Sequence, residues 1–237
     1  MKKVFLFAAM AAMVLVSCGK KDDPKKPDNK PKDDDDPEYV VPIDIDGDFA
    51  DWAKLDASKV ATAKCEEGAS HDVLKVLKVY ADPVYVFIYL EWDKNEISYE
   101  DDDVPVHFYI NGDGDVNTGG YGDEFTDACS DVMFEGFLYS EKEMISYSPG
   151  VFKWVGEVNG TGWDECWEDI GGADGLCLGA GVDGKYELRI TRELYPIGKM
   201  ADTFSIGVDI QQSWDSVGIL PNAAEGNAPS LTVTTNK

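Results

Sequence analysis

The sequence predicts an all-β fold: an antiparallel sandwich of jelly-roll type, with about ten strands and one or two short helical turns. Three observations predict it. Short segments rich in Val, Ile, Phe, Tyr and Trp recur along residues 73–235. Clusters of Gly, Asp, Asn and Pro separate them, as turns require. Several segments alternate apolar and polar residues at period two, the mark of a strand with one covered face. No repeat of solenoid length runs through the chain.

Each element follows from its residues. Residues 39–45 read as an opening strand, turned at Asp46-Gly47-Asp48. Phe49 and Trp52 then fit one face of a single helical turn, with Trp52 in the core. Residues 73–80 and 84–92 form a hairpin across Ala81-Asp82-Pro83. The second of these is apolar on both faces, which predicts a central strand covered on both sides. Residues 104–110 make the next strand, with His107 a satisfied or exposed strand histidine. Residues 128–139 make another, with Asp131, Met133 and Glu135 on one face. Residues 152–157 follow. Residues 176–182 and 185–190 pair around Asp183-Gly184. Thr191 to Tyr195 reads as a capped helical start, stopped by Pro196. Residues 203–211 place Phe204, Ile206, Val208 and Ile210 on one face, and residues 230–235 close the chain.

The amino terminus is of another kind. Residues 1–17 read as a lipoprotein signal peptide, 18–38 as a disordered acidic, Pro- and Lys-rich tether, and 39–237 as a single β-sandwich binding domain. Lys2 and Lys3 precede an apolar run too short to span a bilayer well. It ends in Leu15-Val16-Ser17-Cys18, which resembles the lipobox of bacterial lipoproteins. The resemblance implies cleavage before Cys18 and lipidation of that residue. The tether has almost no apolar side chain and cannot offset its ordering entropy. Its Lys and Asp residues resemble the surface-export signal of Bacteroidetes lipoproteins. That implies a lipid-anchored outer-membrane protein, surface-exposed, with the periplasmic face as the alternative, and an outer-membrane uptake complex as partner.

The formal net charge of −25 disfavours nucleic acid, since phosphate binding needs positive surface. It suits cations, neutral ligands such as sugars, or solubility alone. Contact with a membrane is expected through the lipid anchor only. Of the five cysteines, Cys65, Cys129, Cys166 and Cys177 remain besides Cys18. An even number in an exported chain allows disulfides, with three connectivities open. Cys166 with Cys177, bracketing a glycine-rich turn, and then Cys65 with Cys129, is the favoured set.

An oxygen-rich loop carries the strongest local signal. Asp113, Asp115, Asn117 and Glu124 fall at positions 1, 3, 5 and 12 of a calcium-type loop. Position 6 is Thr118 where glycine is required, and Gly119 stands one place late. The flanks read as strands. A structural calcium held by Asp113, Asp115, Asn117, Gly119 and Glu124 is one expectation. A solvated, Asp-rich turn is the other. Asp131 and Glu135 either join the ion or a ligand, or face solvent.

Four segments in order resemble family 9 carbohydrate-binding modules and the wider DOMON-like sandwiches. They are residues 45–52 (Ile-Asp-Gly to Asp-Trp), 109–121 (strand, Asp-rich loop, Thr-Gly-Gly-Tyr), 130–136 (Ser-Asp-Val-Met-Phe-Glu-Gly) and 186–193 (Tyr-Glu-Leu-Arg-Ile with Arg192-Glu193). The resemblance spans residues 42 to about 230. It implies glycan or small-ligand binding, often with structural calcium, and leaves the ligand open. Val132 stands where the family often has an aromatic residue, and residues 190–192 lack the family proline.

Sugar binding asks for flat exposed rings beside amides and carboxylates. Trp163 and Trp167, flanking Asp164 and Glu165, are the preferred platform, and Trp214 beside Gln211, Gln212 and Asp215 is next. A non-catalytic glycan or small neutral ligand module is therefore expected. A glycan-processing enzyme with a carboxylate pair and a structural or adhesion protein are the alternatives. No nucleophile motif, zinc motif or phosphate loop is present.

Overall fold

The computed structural model describes residues 39–98, 104–121, 124–127, 129–140, 143–163, 165–173, 175–182, 184–194 and 198–237. The expected signal peptide, the tether, the lipidated Cys18 and Asp164 lie outside these residues.

Residues 41–237 fold as an all-β sandwich. Strands are numbered in chain order. One sheet has five: β1 (Ala61–Lys64), β2 (Leu74–Ala81), β3 (Tyr85–Trp92), β9 (Cys177–Val182) and β10 (Lys185–Thr191), in the order β1-β2-β3-β10-β9. The other has eight. Its path is β14 (Asp215–Leu220), β13 (Thr203–Gln212), β4 (Val104–Asn111), β5 (Val132–Ser140), β7 (Gly150–Trp154) and β8 (Trp167–Gly172). Here β6 (Glu143–Met144) pairs with β5, and β15 (Leu231–Thr234) pairs with β13 beside β14. All named pairings are antiparallel.

The core between the sheets is built by the predicted alternation. Phe204, Ile206, Val208 and Ile210 of β13 face inward with Val106, Phe108 and Ile110 of β4. Leu77, Val79, Ile88, Leu90 and Leu188 meet them from the five-stranded sheet. Two tyrosines bring polar groups into this core and satisfy them. The Tyr147 hydroxyl donates to the Val106 carbonyl at 3.0 Å. The Tyr186 hydroxyl donates to the Ile145 carbonyl at 2.6 Å and accepts the Tyr147 backbone N–H at 2.8 Å. The Tyr186 ring needs bare backbone beside it. A Cβ on Gly179 or Gly181 would stand 2.4 Å from atoms of that side chain.

The five-stranded sheet is covered on its outer side as well. Residues 41–48 run over it without forming a strand, in place of the expected opening strand. The 3-10 turn Phe49–Lys54 follows, capped by the Asp48 carboxylate. Ile43 and Trp52 bury against Phe87 and Tyr89 of β3. Glu187 of β10 explains the departure. Its Oε1 accepts the backbone N–H groups of Asp46 and Gly47, at 3.1 and 2.9 Å. Its Oε2 accepts the Trp52 indole N–H at 3.0 Å. The segment is held by a buried side chain on the sheet face, so its amides are not available to pair at a sheet edge.

The helical start expected over Thr191 to Tyr195 is also absent from residues 191–194, while Tyr195 and Pro196 lie outside the described residues. Thr191 ends β10, and β11 (Glu193–Leu194) pairs with β12 (Gly198–Lys199). Arg192, 1 % exposed, keeps the chain extended. Its guanidinium donates to the carbonyls of Met200 and Ala201 at 2.8 and 2.7 Å and to that of Asp82 at 3.3 Å. A helix would swing this side chain away from those acceptors. Strands β1, β8 and β14 were not anticipated from the sequence.

None of the four described cysteines is disulfide-bonded, contrary to both expected pairs. Cys177 opens β9 in the five-stranded sheet and packs on the inter-sheet core. Cys166 precedes β8 and packs on the outer side of the eight-stranded sheet. Cys65 follows β1, where the Asn222 amide donates to its sulfur. Cys129 is buried and takes a bond from Asn111 Nδ2 at 3.1 Å. Each partner of an expected pair thus belongs to a different sheet. Burial pushes the Cys177 thiol up to about 12, so it is an inert core thiol.

Glu187 ties residues 46–52 to β10, and its removal leaves three donors without an acceptor. Glu187→Ala is expected to destabilise the fold by about 3 kcal/mol, and Glu187→Gln by clearly less. Urea unfolding of the two variants measures both. Equal losses would show that the acceptor geometry does not matter.

Candidate functional site

The outer face of the eight-stranded sheet carries the site. Along β4 the residues alternate, so His107 and Tyr109 point away from the inter-sheet core. Yet every residue of β4 is buried. The cover is supplied by the stretch between β4 and β5. Tyr121 stacks on Tyr109 with ring centroids 4.8 Å apart. Phe125 lies over Gly207 of β13, where a Cβ would stand 2.3 Å from the ring. Trp154 of β7 lies over Gly120, where a Cβ would stand 2.2 Å from the indole. Met133 and Ile219 complete this second apolar cluster, and Trp167 packs against its edge.

The cover stops at His107, and a cleft of about 480 Å³ opens there. His107, Glu135 and Gln211 come from β4, β5 and β13. Tyr121 and Glu124 come from the covering stretch, and Trp163 from the β7–β8 connection. Trp214 sits in the β13–β14 turn, with Asp215 and Ser216 after it.

Register puts the polar row in place. Asp209 of β13 lies opposite His107 of β4, and His107 lies opposite Glu135 of β5. The His107 Nε2 and a Glu135 carboxylate oxygen are 2.9 Å apart. Asp209 is wholly buried, and its Oδ2 accepts from Gln211 Nε2 at 2.7 Å and from Ser216 Oγ at 2.8 Å. Burial pushes its carboxyl above the usual carboxylate range, opposed by those two bonds and by His107. The register shifts between Ile210 and Gln211, where Val217 is the extra residue of β14. Such bulges re-aim side chains at sheet rims. Here Gln211 faces Ser216.

Both exposed tryptophans lean on His107. The Trp163 ring meets it edge-on at 5.7 Å, and the Trp214 ring lies 6.4 Å away. Phe137 braces the far side of Trp214 at 6.1 Å. Trp214 is held in an unusual backbone. Ser213 and Trp214 have φ of 53° and 67°. Two successive left-handed residues in a tight hairpin are ordinarily Asn-Gly or Gly-Gly. A bulky residue there costs energy, and such strain clusters at binding sites. Tyr121, also lining the cleft, has φ of 68°.

The structure sorts the sequence-predicted site residues into three places. Trp163, Trp214 and Glu135 meet in the cleft, and Glu124 joins them. Trp167 does not: it packs against Trp154, with centroids 5.0 Å apart, and so leaves its expected partner Trp163. Asp131 does not either. Its Oδ2 accepts the backbone N–H groups of Gly112 and Asp113, at 2.9 and 3.2 Å. Burial raises its carboxyl, opposed in part by those bonds. Sequence reasoning missed Tyr121, Ser216 and the part played by His107. The signal for His107 was its place opposite Glu135, which only strand register reveals.

Of the five residues expected to hold calcium, Asp113, Asp115 and Asn117 are tied to one another in the loop, while Glu124 turns to the cleft. Asp113 Oδ1 accepts the Asp115 N–H at 2.7 Å, and both its oxygens accept from the Thr118 hydroxyl. Asp115 Oδ1 accepts the Asn117 N–H and side-chain amide at 2.9 and 2.7 Å, which lowers its carboxyl. Gly119 is required for another reason: with φ of 65°, a Cβ there would stand 2.5 Å from the Cys129 and Ser130 carbonyl oxygens. Glu124 turns to the Tyr121 hydroxyl at 3.0 Å. Among the described residues no three His, Cys, Asp or Glu side chains converge as a metal group.

No family model and no curated protein matches the chain.

Two measurements test this account. The loop is closed by its own hydrogen bonds, so the melting temperature is expected to be equal in millimolar calcium and in EDTA. A calcium-dependent rise that is lost in Asp113→Ala would return the loop to a metal role. The second concerns pH. The carboxyls of Asp131, Glu187 and Asp209 are all raised by burial, so the folded state holds their protons more tightly than the unfolded state. Their contribution is full below the unfolded carboxyl range and is lost as pH rises through the folded values. The melting temperature is therefore expected to rise from about pH 8 to about pH 5, and less steeply in Asp209→Asn. A fall over that range would refute it.

Proposed function

We propose that this protein is a non-catalytic binding module that takes a glycan or related small polar ligand in the cleft beside His107. One observation carries the reading. Trp163 and Trp214, 40 % and 58 % exposed, flank the same polar cleft. Two exposed indoles converging on one cleft form a shared apolar surface, and flat rings are what the apolar face of a sugar needs. The cleft's volume lies in the range of small-molecule sites. The left-handed backbone at Trp214 supports the same reading, because strain is kept where the display of a side chain matters.

Binding rather than hydrolysis is supported by how the acids are used. A glycosidase needs two free carboxyls across the scissile bond. Of the three acids that line the cleft, two are already engaged, Glu135 with His107 and Glu124 with the Tyr121 hydroxyl. The proposal extends to location. The lipobox-like run ending at Cys18 supports an exported, lipid-anchored protein, and among the described residues no helix is long and apolar enough to cross a membrane. The four-segment resemblance to family 9 carbohydrate-binding modules is consistent with the cleft.

The experiment is a glycan-library screen of residues 39–237, followed by titration of the best binder. Trp163→Ala and Trp214→Ala are each expected to weaken binding by about tenfold or more with little change in melting temperature. Trp167→Ala is expected to lower stability by about 3 kcal/mol instead. Unchanged affinity in both cleft variants would remove the cleft as the binding site.

A further inference from the structure

We infer that the ligand of this cleft is a cation: a glycan or small polar molecule carrying an ammonium group. The inference rests on the cleft being the binding site, and it sharpens the neutral-ligand expectation into its opposite.

The cleft has two kinds of wall, and both favour positive charge. Trp163 and Trp214, the exposed rings of the cleft, are electron-rich and attract an ammonium over their faces. Glu124, Glu135 and Asp215 add three acidic side chains, and no Lys or Arg lines the cleft among the described residues. The chain as a whole carries −25, so the surrounding field has the same sign.

A neutral sugar can donate hydroxyls to this lining, but it leaves the charge of the acids unmatched. Covering three acidic groups with an uncharged ligand removes their water and returns only hydrogen bonds from hydroxyls. An ammonium returns both donors and charge. His107 does not neutralise the set by itself: it meets only Glu135, through Nε2. A second feature points to a ligand here. His107 is 1 % exposed and lines the cleft, yet its Nδ1 has no hydrogen-bond partner. When Nε2 carries the proton shared with Glu135, Nδ1 is an acceptor.

The chemistry fits two sources, an amino sugar with free amines or a choline-like ammonium. Both are tested on residues 39–237 by tryptophan fluorescence and calorimetry, with three probes. These are the β-1,4-linked glucosamine disaccharide, its fully N-acetylated counterpart and choline. The amino disaccharide is expected to bind at least about tenfold more tightly than the acetylated one at low salt, with the advantage shrinking near 0.5 M NaCl. Asp215→Asn, at an exposed position, is expected to reduce that ratio, and an unchanged ratio would remove Asp215 from the recognition of the ammonium. Binding of choline with neither disaccharide supports the cation and overturns the glycan reading. Equal or tighter binding of the acetylated disaccharide overturns the cation and leaves the glycan reading standing. Binding of none of the three overturns the cation, and the library screen judges the glycan reading on its own.

Discussion

The structure depends on one constraint: strand β4 is buried on both faces along its whole length. Its inner residues meet the five-stranded sheet. Its outer residues need a second cover, because a bare Tyr109 and Met133 would leave a large apolar patch in water. The chain between β4 and β5 provides that cover. It can do so because Gly120 and Gly207 leave room for the Trp154 and Phe125 rings. The Asp-rich loop is the hinge of this arrangement. Its side chains close successive turns, and Asp131 captures its first amides.

Where the cover ends, the sheet face becomes polar, and the cleft is the result. The floor is therefore not an insertion into the fold but part of a row of strand residues, Asp209, His107 and Glu135, of which the last two line the cleft. Strand-borne groups are held more firmly than loop-borne ones. The two tryptophans reach in from loops at either edge of the sheet, and each rests against His107. The rigid floor and the adaptable rims have different roles. One fixes polar groups, and the other supplies apolar area.

Stability and polarity are coupled in the same way on the opposite side of the molecule. Glu187 is a buried acid whose oxygens are taken up by two backbone amides and an indole. Arg192 is a buried base whose donors go to carbonyls. Neither belongs to the cleft. They fasten the irregular segments, residues 41–54 and 192–201, that strands alone would leave loose. Buried charges bonded to the backbone in this manner are structural, whereas the acids of the cleft keep access to solvent.

The sequence by itself determined the all-β class, most strand positions and the inward set of β13. Those follow from period and composition, which are local properties of the chain. It also named Trp163, Trp214 and Glu135, because exposed rings beside acids in turn-rich stretches are visible without a fold. Tertiary structure decided everything that depends on register and on which face a loop covers. It separated Trp167 from Trp163, drew Glu124 out of the aspartate loop, kept the cysteines in different sheets, and laid residues 41–48 on a sheet face. It also set His107 against Glu135. The physical reason is that strand pairing joins residues far apart in sequence, and a shift of one place would send each side chain to the other face.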